Sequence, residues 1–177
     1  MLLRFLHLIA AMLAVGLGAC TIEMPSDPNR YSLEPNAAAH LRGPQSVALV
    51  NGYPGESKVR MRLGGTTLVF DQKQMTDTAI AMLGRSLQPQ GITDAPQAPK
   101  TVTLRVTPTR LRVHGIAPFP QRTATLRMEV SFGDGTSDTL QAENSSPADF
   151  DRLLDGAILF ALQALLTNEK FVAYLNR

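Results

Sequence analysis

The sequence predicts an α+β domain, with a mainly antiparallel sheet and two main helices packed on one face. Three observations lead there. Residues 58–63, 102–106 and 124–132 alternate apolar and polar side chains with period two. Residues 75–87 and 150–166 keep their apolar residues on one helical stripe. The elements come as strands, helix, strands, helix, the order of segregated layers. Alternating strands leave the second sheet face polar.

Each element follows from local chemistry. Val47-Ala48-Leu49-Val50 is an apolar run ended by Asn51-Gly52, and reads as a buried strand. Lys58 to Leu63 sets Val59, Met61 and Leu63 against Lys58, Arg60 and Arg62. Gly64-Gly65 and the β-branched run Thr66 to Phe70 complete a hairpin. Asp71 or Thr76 caps a helix whose stripe is Met75, Ala79, Ile80, Met82, Leu83 and Leu87, stopped by Pro89 and Gly91.

Thr101 to His114 is extended, with a break at Pro108, and Pro118 and Pro120 mark a loop. Arg122 to Phe132 is the cleanest strand. Gly133-Asp134-Gly135 turns the chain into a polar strand, Ser137 to Glu143, expected near an edge. Ser146-Pro147-Ala148-Asp149 reads as an N-cap followed by a proline at the first helical position, opening the long helix through Leu166. Thr167-Asn168 breaks it, and Glu169 to Leu175 forms a short amphipathic end.

The first residues carry a different signal. Arg4, the apolar stretch Phe5 to Val15 and the small residues before Cys20 form a secretory signal over residues 1–19. The apolar run falls short of the ~20 residues of a spanning helix. Leu17-Gly18-Ala19-Cys20 resembles the bacterial lipobox, in which the cysteine is diacylated and becomes the first mature residue. Cys20 is therefore the expected lipidation site, carrying acyl chains such as palmitate. Two or more chains anchor a protein stably, where one does so marginally. Thr21 is not the aspartate that retains enteric lipoproteins at the inner membrane, which favours the outer membrane.

Residues 20–45 read as the lipidated cysteine and a tether, interrupted by Pro25, Pro28, Pro35 and Pro44. A flexible chain of that length spans roughly 25–30 Å. Within it, Tyr31-Ser32-Leu33 is the segment able to pack on the domain. Residues 46–177 form one periplasmic domain.

Composition excludes several functions. There are 17 Lys+Arg against 15 Asp+Glu, and Arg4 lies in the signal, so the mature chain is nearly neutral and does not read as nucleic-acid binding. A single cysteine allows no internal disulfide. His40 and His114 lack the partners that zinc needs, and no nucleophile elbow is present. No cofactor and no metal are expected. Asp149, Asp151 and Asp155 read as acids complementing a helix dipole rather than an acid–base pair. Asp134 to Asp138 reads as a hairpin turn rather than a calcium loop. Arg60, Arg62, Arg105 and Arg127 fall at outward strand positions and are candidates for binding an anionic envelope component or an acidic protein patch. A solvated face with arginine stems covering apolar surface is the simpler alternative. Leu159 falls on the polar side of the last helix, near Arg152 and Gln163.

Two family resemblances follow. The lipobox, the tether, the segment Asp71 to Ile92, the strand Val102-Thr-Leu-Arg-Val-Thr-Pro108 and the closing Leu166 to Leu175 are together similar to the YajG family of bacterial lipoproteins. That resemblance implies a small, non-enzymatic, outer-membrane lipoprotein facing the periplasm, with its partner an unknown envelope protein, and carries over no functional residue. Arg30-Tyr-Ser-Leu-Glu-Pro35 instead resembles the start of auxiliary lipoproteins of ABC-type lipid transporters. The lipopolysaccharide-assembly lipoprotein is similar in architecture only.

Overall fold

The computed structural model describes residues 20–115 and 120–177. The expected signal over residues 1–19 and the loop expected at Pro118 lie outside the described residues. Eight strands and three α-helices follow in order: β1 (Cys20–Met24), β2 (Gln45–Asn51), β3 (Lys58–Leu63), β4 (Thr66–Asp71), α1 (Gln72–Leu87), β5 (Ile92–Asp94), β6 (Lys100–His114), β7 (Gln121–Phe132), β8 (Ser137–Ser146), α2 (Phe150–Leu166) and α3 (Glu169–Asn176). The class is α+β, as the patterning predicts.

The strands divide into two sheets. The larger has the order β5-β2-β6-β7-β8, and the smaller β1-β4-β3. The long pairings, β6 with β7 and β7 with β8, are antiparallel. The β3–β4 hairpin is antiparallel as well, with Gly64 at φ 59° in its turn. Parallel pairing joins β1 to β4 and β2 to both β5 and β6. β8 is an edge strand, as its polarity predicts.

Both main helices cover one face of the larger sheet. Val102, Leu104 and Val106 of β6 register with Phe132, Val130 and Met128 of β7, and all six are buried. α1 lies over β2 and β6, and α2 over β7 and β8. The opposite face carries Thr103, Arg105 and Thr107 beside Arg127, Glu129 and Ser131. Gly156 lets α2 approach β8 closely, because a Cβ there would overlap the Asn144 amide, which donates to Leu153 O. At the far end, Phe132 stacks against Tyr174 of α3 with ring centroids 5.1 Å apart. The Tyr174 hydroxyl accepts from Thr101 N at 2.8 Å.

One strand position changes the phase of the sheet. Leu104, Val106 and Pro108 face inward at even numbers, but Leu111 and Val113 are odd. The register shifts between Pro108 and Arg110, so that Leu111 pairs with Ala124 and Val113 with Arg122. This β-bulge turns Leu111 and Val113 to the inner face and Arg110 and Arg112 outward. The break at Pro108 read from sequence is this bulge.

Two expectations need correction. The long helix starts at Phe150 with Asp149 as its N-cap, and Ser146 belongs to β8. The Ser146 hydroxyl instead accepts from Ala148 N at 3.0 Å, turning the chain into the helix. Leu159 is half-buried against the core, and the exposed apolar residue of α2 is Phe160, at 45%.

β6 outruns β2, whose pairing ends at Asn51 opposite Leu104. The next inward-facing amide, Val106 N, donates instead to the buried Thr76 hydroxyl at 3.0 Å, and that hydroxyl donates to Gln72 O at 2.8 Å. Thr76→Val keeps the shape and strands the Val106 N–H, while Gln72 O keeps its helical bond from the residue 76 amide. It should destabilise the domain by about 1–3 kcal/mol, with Thr76→Ser near wild type, read from urea midpoints.

Candidate functional site

The segment over residues 20–45 is laid on the domain rather than hanging free. This corrects the expectation of a flexible tether. β1 pairs with β4 from its first residue, Cys20 opposite Thr66. Leu33, Ala38 and Leu41 are buried in the core, with Tyr31 packed beside them. The His40 Nε2–H donates to Leu166 O at 2.7 Å, satisfying a carbonyl at the end of α2. The Arg85 guanidinium holds the Pro28 carbonyl. The prolines break regular structure without keeping the chain off the domain.

Asp155 is the centre of this docking. It lies on the buried stripe of α2 and is 1% exposed. Ser26 Oγ donates to its Oδ1 at 2.6 Å and Asp27 N to its Oδ2 at 3.2 Å. Arg30 Nη1 lies 3.0 Å from Asp155 Oδ2 and 2.9 Å from Asp151 Oδ2. These two contacts are ionic and not aligned hydrogen bonds. The aspartates read as a dipole cluster therefore split. Asp149 is exposed and pairs with Arg122 at 3.2 Å, whereas Asp151 and Asp155 receive the N-terminal segment. The sequence signal lay in the spacing: residues 151 and 155 share one helical face, and 155 is beyond the first turn.

Beside this clamp runs an apolar groove of about 560 Å³. Ile22 and Met24 of β1 and Leu63 and Leu68 of the β4–β3 hairpin form one wall. Val113, Pro120 and Phe150 form the other. The pleat accounts for the first wall: Ile22 registers with Leu68 and Met24 with Phe70, so they share a face. The bulge accounts for the second, since it turns Val113 inward. Ile22 is 44% exposed and Val113 46%. The groove draws on residues 22, 63, 113 and 150, so no local periodicity announces it.

The four candidate arginines are all exposed, but they do not share one sheet. Arg60 and Arg62 lie on β3 of the smaller sheet. Arg105 and Arg127 lie on β6 and β7 of the larger one. Arg105 Nε donates to Gly52 O at 2.9 Å, and its guanidinium lies over the Tyr53 ring. Arg127 pairs with Glu129 at 3.2 Å. His114 is exposed at the end of β6. Asp134 closes the β7–β8 turn, accepting from Thr136 N at 3.0 Å. Among the described residues no group of three or more His, Cys, Asp or Glu is arranged to hold a metal. Among those residues, too, no single helix is long and apolar enough to cross a membrane.

Burial pushes the Asp155 carboxyl above its ordinary value, against the bonds from Ser26 and Asp27 and the Arg30 charge. With the folded value raised, its contribution to stability is complete below the ordinary Asp range and is lost as pH rises through the folded value. Asp138 runs the other way. The Asn168 amide and the Thr139 N–H lower it, so its contribution is lost as pH falls. Asp155→Asn isolates the first effect. The stability of wild type minus that of the variant should fall as pH rises from about 4 to 7, measured by urea denaturation. Asp155→Ala leaves Ser26 Oγ and Asp27 N without their acceptor and Arg30 with Asp151 as its ionic partner. It should cost about 3 kcal/mol and raise amide exchange over residues 20–41 first.

Solved structures resemble the chain, among them that of a Xanthomonas campestris protein described under family DUF330. The match covers 83% of this chain and 90% of that one, at 14% identity and a TM-score of 0.40. No family model matches the sequence, and comparison with curated proteins finds no match. At this TM-score the likeness assigns neither family nor activity.

Proposed function

We propose that the protein is a non-enzymatic bacterial envelope lipoprotein. Lipid on Cys20 holds it at the outer membrane, and it presents the α+β domain to the periplasm as an interaction module. The observation that carries this reading is Leu17-Gly18-Ala19-Cys20, with Cys20 exposed at the start of β1. Anchoring raises the local concentration of the domain near an envelope partner. Cys20→Ser should abolish acylation and release the protein from the membrane fraction. Intact mass of the purified protein decides it: a mature wild-type chain with an unmodified thiol ends the reading.

A second reading is an auxiliary subunit of an ABC-type lipid-transport system, and the apolar groove favours it. Its volume lies within the range of small-molecule sites. Its lining is mostly apolar, and its charged members are ion-paired, Asp149 with Arg122 and Asp151 with Arg30. A fluorescent fatty-acid probe titrated into the Cys20→Ser protein should bind saturably. Ile22→Arg should weaken it about tenfold by placing a charge in the wall. Unsaturable partitioning that ignores Ile22→Arg excludes this reading.

A further inference from the structure

A lipid on Cys20 has no slack to the fold. β1 begins at Cys20 itself, and Cys20 pairs with Thr66, which lines the groove. At about 3.3 Å per residue, Ile22 lies only ~7 Å along the strand from the anchored residue. The pleat puts Cys20, Ile22 and Met24 on one side, the side facing the groove. An acyl anchor on the Cys20 sulfur therefore leaves the chain at the groove mouth.

We propose that this end of the domain rests on the phospholipid bilayer that holds the Cys20 lipid. Ile22 and Val113 seat at the boundary of headgroups and acyl chains, and Arg62 and Arg112 lie at the phosphates. The proposal rests on the reading that Cys20 is acylated. Three further observations support it. Ile22 and Val113 are two of the four large apolar side chains exposed among the described residues, and they line the same groove. Interfacial apolar side chains sit about 5–10 Å into the headgroup region, a depth within reach of a residue ~7 Å from the anchor. Arg62 and Arg112 are exposed next to Leu63 and Val113 in the chain, and suit anionic phosphate. The acids at the groove do not oppose this, because Asp149 is paired with Arg122 and Asp151 with Arg30. Glu23 shares the Arg62 side of the smaller sheet and is itself paired with Lys58 at 3.3 Å.

Acylation consumes the one thiol in the chain, so an introduced cysteine can be labelled alone. The full-length lipoprotein carrying Val113→Cys or Arg112→Cys is labelled with an environment-sensitive fluorophore. A Ser137→Cys protein serves as the far reference, since Ser137 pairs with Ser131 and Val113 with Arg122, about 30 Å apart along β7. Each protein is placed in vesicles of phosphatidylethanolamine and phosphatidylglycerol with brominated acyl chains, and circular dichroism confirms the fold. The expected result is about twofold or greater quenching at 113, weaker quenching at 112 and none at 137. Equal quenching at 113 and 137 in a protein whose mass shows acylated Cys20 overturns the docking alone. An unmodified Cys20 overturns the anchoring reading and the docking with it.

Discussion

A carboxylate buried in an apolar helix must find partners, and Asp155 finds them in residues distant in sequence. The Ser26 hydroxyl, the Asp27 amide and the Arg30 guanidinium converge on it. A buried pair of this kind contributes little net stability over an apolar replacement, but removing one side leaves the other uncompensated. Its effect is positional. It holds residues 26–30 against α2, which sets β1 beside β4 and brings Leu33, Ala38 and Leu41 into the core. The placement of the N-terminal segment on the domain depends on that contact.

The groove depends on a second constraint, the phase change in β6. A strand of 15 residues has one inward parity unless something interrupts it. Without the bulge after Pro108, Arg110 and Arg112 would point into the space between the sheets and Leu111 and Val113 would face solvent. With it, the distal half of the β6–β7 hairpin offers an apolar wall opposite the smaller sheet. Among the described residues β1, β3 and β4 pair only with one another, so they form a separate wall, and Ile22 and Val113 remain partly uncovered.

These constraints connect to function through Cys20. A flexible tether would let the domain tumble clear of the headgroups, and its orientation would carry no information. Under the proposed acylation of Cys20, a strand that begins at the anchor removes that freedom, and the end holding Cys20, Ile22 and Val113 becomes the end nearest the lipid.

The sequence by itself determined the elements that depend on near neighbours. Period-two alternation in 122–132 and the unbroken helical stripe of 150–166 depend on residues within a few positions, as do the turns at Gly64-Gly65 and Asp134-Gly135. The expected secretory signal and the lipobox-like Leu17-Gly18-Ala19-Cys20 are equally local expectations, since they are read as a linear motif. Tertiary structure alone decided which distant segments meet. Pairing Cys20 with Thr66, or Ser26 with Asp155 across 129 residues, depends on shape and polar complementarity that leaves no period in the chain. The same reason hid the split of the strands into two sheets and the docking of residues 20–45. It also dispersed the arginines: Arg60 and Arg105 each sit at an outward strand position, but only the packing decides whether two outward positions face the same way.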